Sequence, residues 1–176
     1  MVAMTLVLTL GASAVKAAHD GQMDSRAGGP LFHANEFTLD AFGTVSVGKS
    51  TLDTLSASNV KRDGRLGAGL GMNYFFTPVV GIGGEAYTEN TKHSFVDNAN
   101  GHLILRIPID VAHLAPYGFA GGGYQFDPVA QWTLHAGAGL EVRIVRQWGL
   151  FADARFVWAD KTRNYGLGRA GVRFGF

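Results

Sequence analysis

Charged side chains recur at alternate positions in segments of this 176-residue chain that are otherwise apolar or rich in glycine. Alternate residues of an extended strand share one face, so each segment would present its charges on a single side. Five of these residues are acids and five are bases, which favours a paired network in a confined interior. The ten residues are Asp40, Glu85, Arg106, Asp110, Glu141, Arg143, Asp153, Arg155, Arg169 and Arg173.

Such a set of charges can have two roles. Paired charges can fill and brace a narrow interior, where an unpaired charge would be costly. The same groups could instead form the constriction of a narrow ion path. We favour bracing and keep a narrow porin-like channel as the alternative. The registers of neighbouring strands are predicted to place Glu85 near Arg106 and Arg155 near Arg169, and Asp40 would meet Arg173 across the seam between the first and last strands.

Two strings match nucleotide-binding motifs without the surroundings that this chemistry needs. Residues 43–50 match the P-loop string, but Thr44–Val47 is rich in β-branched residues and continues a strand rather than a phosphate-cradling loop. Residues 166–171 match G-x-G-x-x-G, yet only five residues follow, too few for the helix that receives the pyrophosphate. We therefore expect no nucleotide cofactor.

Hydrolytic and metal chemistry also lack a complete set of residues. An activated serine needs a histidine and an acid within hydrogen-bond reach. His93 and Ser94 are adjacent, but strand neighbours point to opposite faces, and His135 has only Thr133 near it. The six histidines are dispersed, without the spacing of metal ligands. We expect neither enzymatic activity nor a metal site.

Eight segments that would position these charges show the two-residue period of β-strands. Their outward positions are apolar or glycine throughout, as expected where a charge facing lipid would cost about 2–4 kcal/mol. Each segment is at least as long as the about 9–11 residues that a barrel strand needs to cross a bilayer. The predicted strands are Glu36–Gly48, Arg65–Phe75, Pro78–Glu89, His102–Ala112, Pro116–Phe126, Gln131–Ile144, Gln147–Ala159 and Tyr165–Phe176.

Aromatic residues cluster at the predicted strand ends, as in the two girdles of a membrane barrel. One girdle comprises Phe37, Tyr74, Phe75, Tyr117, Trp148, Phe174 and Phe176, and the other comprises Phe126, Trp132, Trp158 and Tyr165.

The alternation of the fifth strand assigns Tyr117, Phe119, Gly121 and Gly123 to its outward face. Its inward face is assigned to Gly118, Ala120, Gly122 and Tyr124.

Composition and connections favour a membrane barrel over other classes. Short turns follow the second, fourth and sixth strands, and longer polar loops follow the first, third and seventh: Lys49–Gly64, Asn90–Gly101 and Asp160–Asn164. No apolar run after residue 17 is long enough for a transmembrane helix, which leaves a closed barrel as the spanning solution. A net charge of +1 gives no electrostatic footprint for nucleic acid.

The amino terminus is typical of an exported protein. Residues 1–17 combine an apolar run with small residues that suit signal cleavage, so we predict a signal peptide. Residues 18–35 would form a periplasmic segment, and residues 36–176 the barrel. The chain contains no cysteine, so it has no lipoprotein acceptor and no disulfide.

The last strand carries the most specific pattern in the chain. Arg169, Gly171, Phe174 and Phe176 form a polar-x-Gly-x-x-aromatic-x-aromatic ending, which resembles the assembly signal that closes bacterial outer-membrane barrels. Over about residues 36–176 the chain resembles the small eight-stranded outer-membrane β-barrels of the OmpA/OmpX-like type.

The resemblance implies an all-β, eight-stranded antiparallel up-and-down transmembrane barrel in the bacterial outer membrane. It also implies contact with outer-membrane lipid and insertion by the barrel assembly machinery. We expect a monomer with a structural or envelope-surface role. A lipid A-modifying barrel enzyme is the least favoured alternative.

Overall fold

Eight antiparallel strands close into a barrel in the computed structural model, which describes residues 29–47, 65–89 and 96–176. Each strand pairs with the next, and β8 pairs with β1 to close the ring. This confirms the predicted eight-stranded up-and-down topology. The strands are β1 (Glu36–Val47), β2 (Arg65–Phe75), β3 (Val80–Thr88), β4 (Asn98–Arg106), β5 (Leu114–Gln125), β6 (Gln131–Val145), β7 (Trp148–Ala159) and β8 (Tyr165–Gly175).

Side chains alternate between the lumen and the outer surface along the strands, with an interruption in β6 at Ile144 and Val145, where the register shifts. In β1 the alternation of buried and exposed residues is unbroken from Glu36 to Val47. The end of the barrel where β1 begins and β8 ends is called the turn end below. The opposite end, where the two longest connections follow β1 and β3, is called the loop end. The only helical element in the described ranges is the 3-10 turn Asp110–Ala112. None of the helical structure described there is long and apolar enough to span a membrane.

Inward glycines make room for the large side chains that fill the lumen. Gly137 on β6 pairs with Phe119 on β5 and with Arg155 on β7. A Cβ atom on Gly137 would lie 2.8 Å from both the Arg155 Cβ and the Phe119 Cζ. Such crowding follows from eight strands, whose interior is just wide enough for side chains. The same arrangement places Gly71 between Asp40 and Glu85, Gly121 between His102 and His135, and Gly139 between Tyr117 and Asp153.

The fourth strand begins and ends earlier in the sequence than predicted. It ends at Arg106 instead of Ala112, and it begins at Asn98, inside the predicted loop. Beyond it, Ile109 forms a single bridge with Leu114, and the 3-10 turn reverses the chain. The polar residues Asn98 and Asn100 are accommodated because they share the inward face of this strand, where Asn100 donates to Glu85.

The predicted faces of the fifth strand are wrong. Tyr117, Phe119 and Gln125 point into the lumen, whereas Gly118 and Ala120 face outward. The two faces of this strand are both rich in glycine, so its pattern carries little directional information. In the barrel, the large inward rings lean over glycines of β6, and the Tyr117 hydroxyl donates to Asp153 at 2.8 Å.

The two aromatic girdles are present with three corrections. Phe75, Tyr117 and Tyr165 are buried inside the barrel. Each occupies a position that alternates in step with the inward residues of its strand. The prediction placed these rings in the girdles because they lie near strand ends. Exposed outward rings remain at both ends, among them Phe37, Trp148 and Phe176 at the turn end and Phe126, Trp132 and Trp158 at the loop end.

Substitution of an inward glycine is predicted to destabilise the barrel. For Gly137→Ala, the new Cβ would also lie 2.4 Å from the carbonyl oxygen of Ala154, so the cost should be about 1–3 kcal/mol of unfolding free energy. The matched control is Gly118→Ala on the outer face, where the nearest atom would be a carbonyl oxygen 3.8 Å away. Its effect should stay within about 0.5 kcal/mol. Urea unfolding of both variants in lipid vesicles checks this, and equal effects would contradict it.

Candidate functional site: the charged lumen

The inward charges form two networks at different depths of the barrel. The turn-end network joins three acids to three bases: Glu36, Asp40, Glu141, Arg106, Arg143 and Arg173. The central network joins two acids to two bases: Glu85, Asp153, Arg155 and Arg169. Each network therefore has no net formal charge, and every member has almost no exposed surface.

Glu36 and Glu141 each hold more than one arginine in the turn-end network. Glu36 accepts from Arg106 at 2.5 Å and also binds Arg143. Glu141 binds Arg143 and accepts from Arg173 at 2.5 Å. Because each carboxylate is shared, the guanidinium groups link β1, β4, β6 and β8 around the mouth of the lumen.

Arg173 also closes the seam between the first and last strands. Its Nε and Nη2 atoms donate to the two carboxylate oxygens of Asp40 at 2.7 and 2.6 Å. The two residues face each other in the register of β1 and β8. Asn73 donates to the same carboxylate at 2.9 Å, so both carboxylate oxygens of Asp40 accept hydrogen bonds.

The central network spans the diameter of the barrel. Glu85 on β3 accepts two hydrogen bonds, of 2.5 and 3.0 Å, from Arg155 on β7. Since β3 and β7 are four strands apart in a ring of eight, this pair crosses the lumen. Arg169 binds Glu85 as well and donates to both oxygens of Asp153 at 2.9 and 2.6 Å.

Aromatic rings surround the buried guanidinium groups. The Arg106 guanidinium carbon lies 3.6 Å from the centre of the Phe75 ring, and that of Arg173 lies 4.9 Å from Phe151. A planar guanidinium can form bidentate hydrogen bonds in its plane and stack on a ring with its face. This explains why all five bases of the two networks are arginine.

The structure places nine of the ten predicted charges in the lumen. The predicted pair of Asp40 and Arg173 is confirmed. Arg155 and Arg169 meet through their shared partner Glu85. The prediction that Glu85 lies near Arg106 is wrong, because the shift of β4 places Arg106 at the turn end, where its partner is Glu36.

The structure excludes Asp110 from the charges of the lumen and adds Glu36 to them. Asp110, predicted to face the lumen, lies exposed on the 3-10 turn outside the barrel because β4 has already ended. Glu36, which was not assigned to the network, is completely buried in it. It has the same parity as Thr38 and Asp40, so the alternation of β1 could have identified it.

His102 and His135 lie beside the central network without forming a metal site. Their ring centres are 5.7 Å apart, and Phe119 contacts both rings. Across the described ranges, no group of three or more potential metal ligands comes together. His93 and Ser94 lie outside the described residues.

The described parts of the two nucleotide-binding motif matches lie within β-strands. Gly43–Val47 belongs to β1, and the rest of the P-loop match lies outside the described residues. Residues 166–171 lie within β8, where Gly171 faces Phe42 and Phe151. A Cβ at Gly171 would lie 2.7 Å from the Phe42 Cβ, so this glycine serves packing.

Solved structures share this fold at low sequence identity. The N-terminal β-barrel domain of OprF from Pseudomonas aeruginosa matches with a TM-score of 0.62 and 18% identity, covering 82% of this chain and 99% of that one. OprG from the same organism matches at 0.55 and 15%, covering 84% and 99%. The outer membrane protein W of E. coli matches at 0.54 and 15%, covering 82% and 99%.

The resemblance to small eight-stranded outer-membrane barrels is thus confirmed at the level of the fold. No protein-family model matches the chain, and no curated protein sequence does.

Loss of a shared carboxylate is predicted to destabilise the barrel strongly. Glu36→Gln keeps the shape of the side chain but leaves Arg106 and Arg143 short of a counter-charge, at a cost of about 3–5 kcal/mol of unfolding free energy. The control is Asp160→Asn, which neutralises an exposed acid at the loop end and should change stability by less than about 0.5 kcal/mol. Equal stabilities of the two variants in urea titrations would show that the turn-end network does not brace the barrel.

Proposed function

We propose that this protein is an integral protein of the bacterial outer membrane, with a structural or envelope-surface role and a lumen closed by paired charges. In this proposal the barrel is a monomer and has no catalytic role. The observation that carries it is a contrast within the described residues: the outward strand positions carry no charge, and the charges of the two lumen networks balance.

The outer surface suits lipid better than water. Among the outward strand positions in the described residues, only Thr88, at the loop end of β3, is neither apolar nor glycine. Large apolar side chains are mostly exposed there, such as Leu66, Leu70 and Trp132 with 78%, 69% and 69% of their surface exposed. A continuous apolar surface of this kind is a liability in water and a requirement in a bilayer.

The interior suits a closed barrel better than a pore. The two networks hold five arginines and five acids in contact with one another. Buried side chains lie on the same strands as Glu85, Arg155 and Arg169, one or two inward positions nearer the loop end: Tyr87, Val157, Tyr165 and Leu167. Paired charges in contact with rings leave no row of solvated charges for an ion to follow. We infer that the lumen braces the barrel and does not conduct.

The orientation follows from the lengths of the connections. In outer-membrane barrels the short turns lie in the periplasm and the longer loops outside the cell. On this basis we assign the turn end to the periplasm. The exposed rings at the two ends would then lie at the two membrane interfaces, where tryptophan and tyrosine are enriched.

Insertion would depend on the last strand. We propose that the barrel assembly machinery recognises the outward rings of Phe174 and Phe176, together with Arg169 and Gly171. Phe174 contacts Trp148 at 4.8 Å and Phe176 at 4.6 Å between ring centres. These rings form a continuous aromatic edge at the turn end.

A narrow channel is the second candidate function, and one observation favours it. The Nη1 atom of Arg106 and the Nε atom of Arg155 are buried without a hydrogen-bond acceptor. Unused donors on two arginines at different depths could bind a passing anion or a chain of water molecules.

The membrane barrel is tested with purified protein refolded in detergent. The expected results are a circular dichroism spectrum of the β type and different gel mobility before and after boiling, because a closed barrel stays folded in the detergent of the gel. A protein that is monomeric and fully soluble without detergent would contradict the assignment to a membrane.

Conductance distinguishes the two candidate functions. Wild-type protein in a planar lipid bilayer is expected to carry no steady current, since the arginine–carboxylate contacts block the lumen. A steady current whose ion preference changes in Arg155→Ala, without loss of stability, would replace the closed barrel with the narrow channel.

A further inference from the structure

We propose that residues 29–35 form a stopper that seals the turn end of the lumen, with Phe32 as the seal and Asp110 as its anchor. The proposal rests on the closed barrel of the proposed function and adds how its periplasmic mouth is shut. It also gives a role to an acid that has none in the charge networks.

Phe32 is buried although it belongs to no strand. Only 1% of its surface is exposed. Its ring centre lies 5.0 Å from the guanidinium carbon of Arg106 and 5.2 Å from that of Arg143. Both arginines bind Glu36 inside the mouth of the barrel. The ring therefore sits against the turn-end network and covers it from outside.

The segment that carries Phe32 is attached to the rim at separate points. These attachments lie at the β4–β5 turn and at the end of β2, so the segment crosses the mouth instead of following one strand. They are the Leu31 amide donating to Asp110 at 3.1 Å and the Tyr74 hydroxyl donating to Asn35 at 3.1 Å.

The stopper explains the burial of the network behind it. The Arg106 side chain has no exposed surface, although it lies at the mouth of the barrel. Ala115, which faces inward beside Glu141, is also fully buried. Removal of the Phe32 ring should admit water and small solutes to this level of the lumen.

The experiment uses a single-cysteine reporter, because the chain has no cysteine of its own. Ala115→Cys places a thiol, called the buried reporter below, behind the stopper. Its reaction with a small water-soluble thiol reagent is followed in refolded full-length protein. When Phe32→Ala is added, the labelling rate should rise by about tenfold or more, because the protecting contact is lost. Val111→Cys, on the exposed turn, should react at the same rate with and without Phe32→Ala.

Two further variants separate sealing from general loosening. Leu31→Ala shortens a neighbouring, half-exposed side chain and should leave the buried reporter protected. Asp110→Ala removes the anchor without touching the lumen and should accelerate labelling while the shift in gel mobility on boiling is retained. This variant keeps the test valid if Phe32→Ala does not fold. Equal, slow labelling of the buried reporter in the folded Asp110→Ala and Phe32→Ala proteins would overturn the stopper.

Failure of the stopper and failure of the closed barrel give different results. If the buried reporter is labelled rapidly in all backgrounds and the wild-type protein passes no current, the stopper alone is wrong. If the buried reporter is labelled rapidly in all backgrounds and a steady current flows, the closed barrel is wrong as well, and with it the stopper.

Discussion

The width of an eight-stranded barrel is the constraint on which the rest of this structure depends. The interior is just wide enough for side chains, so an inward charge has no bulk water to solvate it and must find its partner inside. The chain meets this requirement with ten inward charges that form two neutral networks. The same narrowness requires glycine at positions such as Gly137, Gly139 and Gly171, where a large side chain leans across from the next strand.

The ion pairs connect strands that share no backbone hydrogen bonds. Hydrogen bonds of the ladder join only neighbouring strands, whereas Glu85 and Arg155 join β3 to β7 across the lumen. Glu36 joins β1 to β4 and β6 through its two arginines. The barrel is thereby braced across its diameter as well as around its circumference. Replacing one partner leaves a buried charge behind, which is why single substitutions should cost more than the net contribution of a pair.

Much of the fold and part of the site could be predicted from the sequence, and the failures have identifiable physical causes. The alternation of apolar and polar residues indicated all eight strands, because a barrel separates lipid-facing from inward side chains at every step. It failed on β5, where glycine occupies both faces, and on β4, where inward Asn98 and Asn100 look like loop residues. The pairing of Asp40 with Arg173 depends only on the closing register, but partners across the lumen depend on side-chain reach, which spacing does not encode.

The central claim is that the lumen charges stabilise the barrel through their mutual contacts. A double-mutant cycle on Glu85→Gln and Arg155→Met tests it most directly, with unfolding free energies measured by urea titration in lipid vesicles. Each single substitution should be strongly destabilising, and the double variant should lose less than the sum of the two, with a coupling energy of about 1–3 kcal/mol. Additive effects of the two substitutions would contradict the account, because they would show that the two side chains contribute to stability independently.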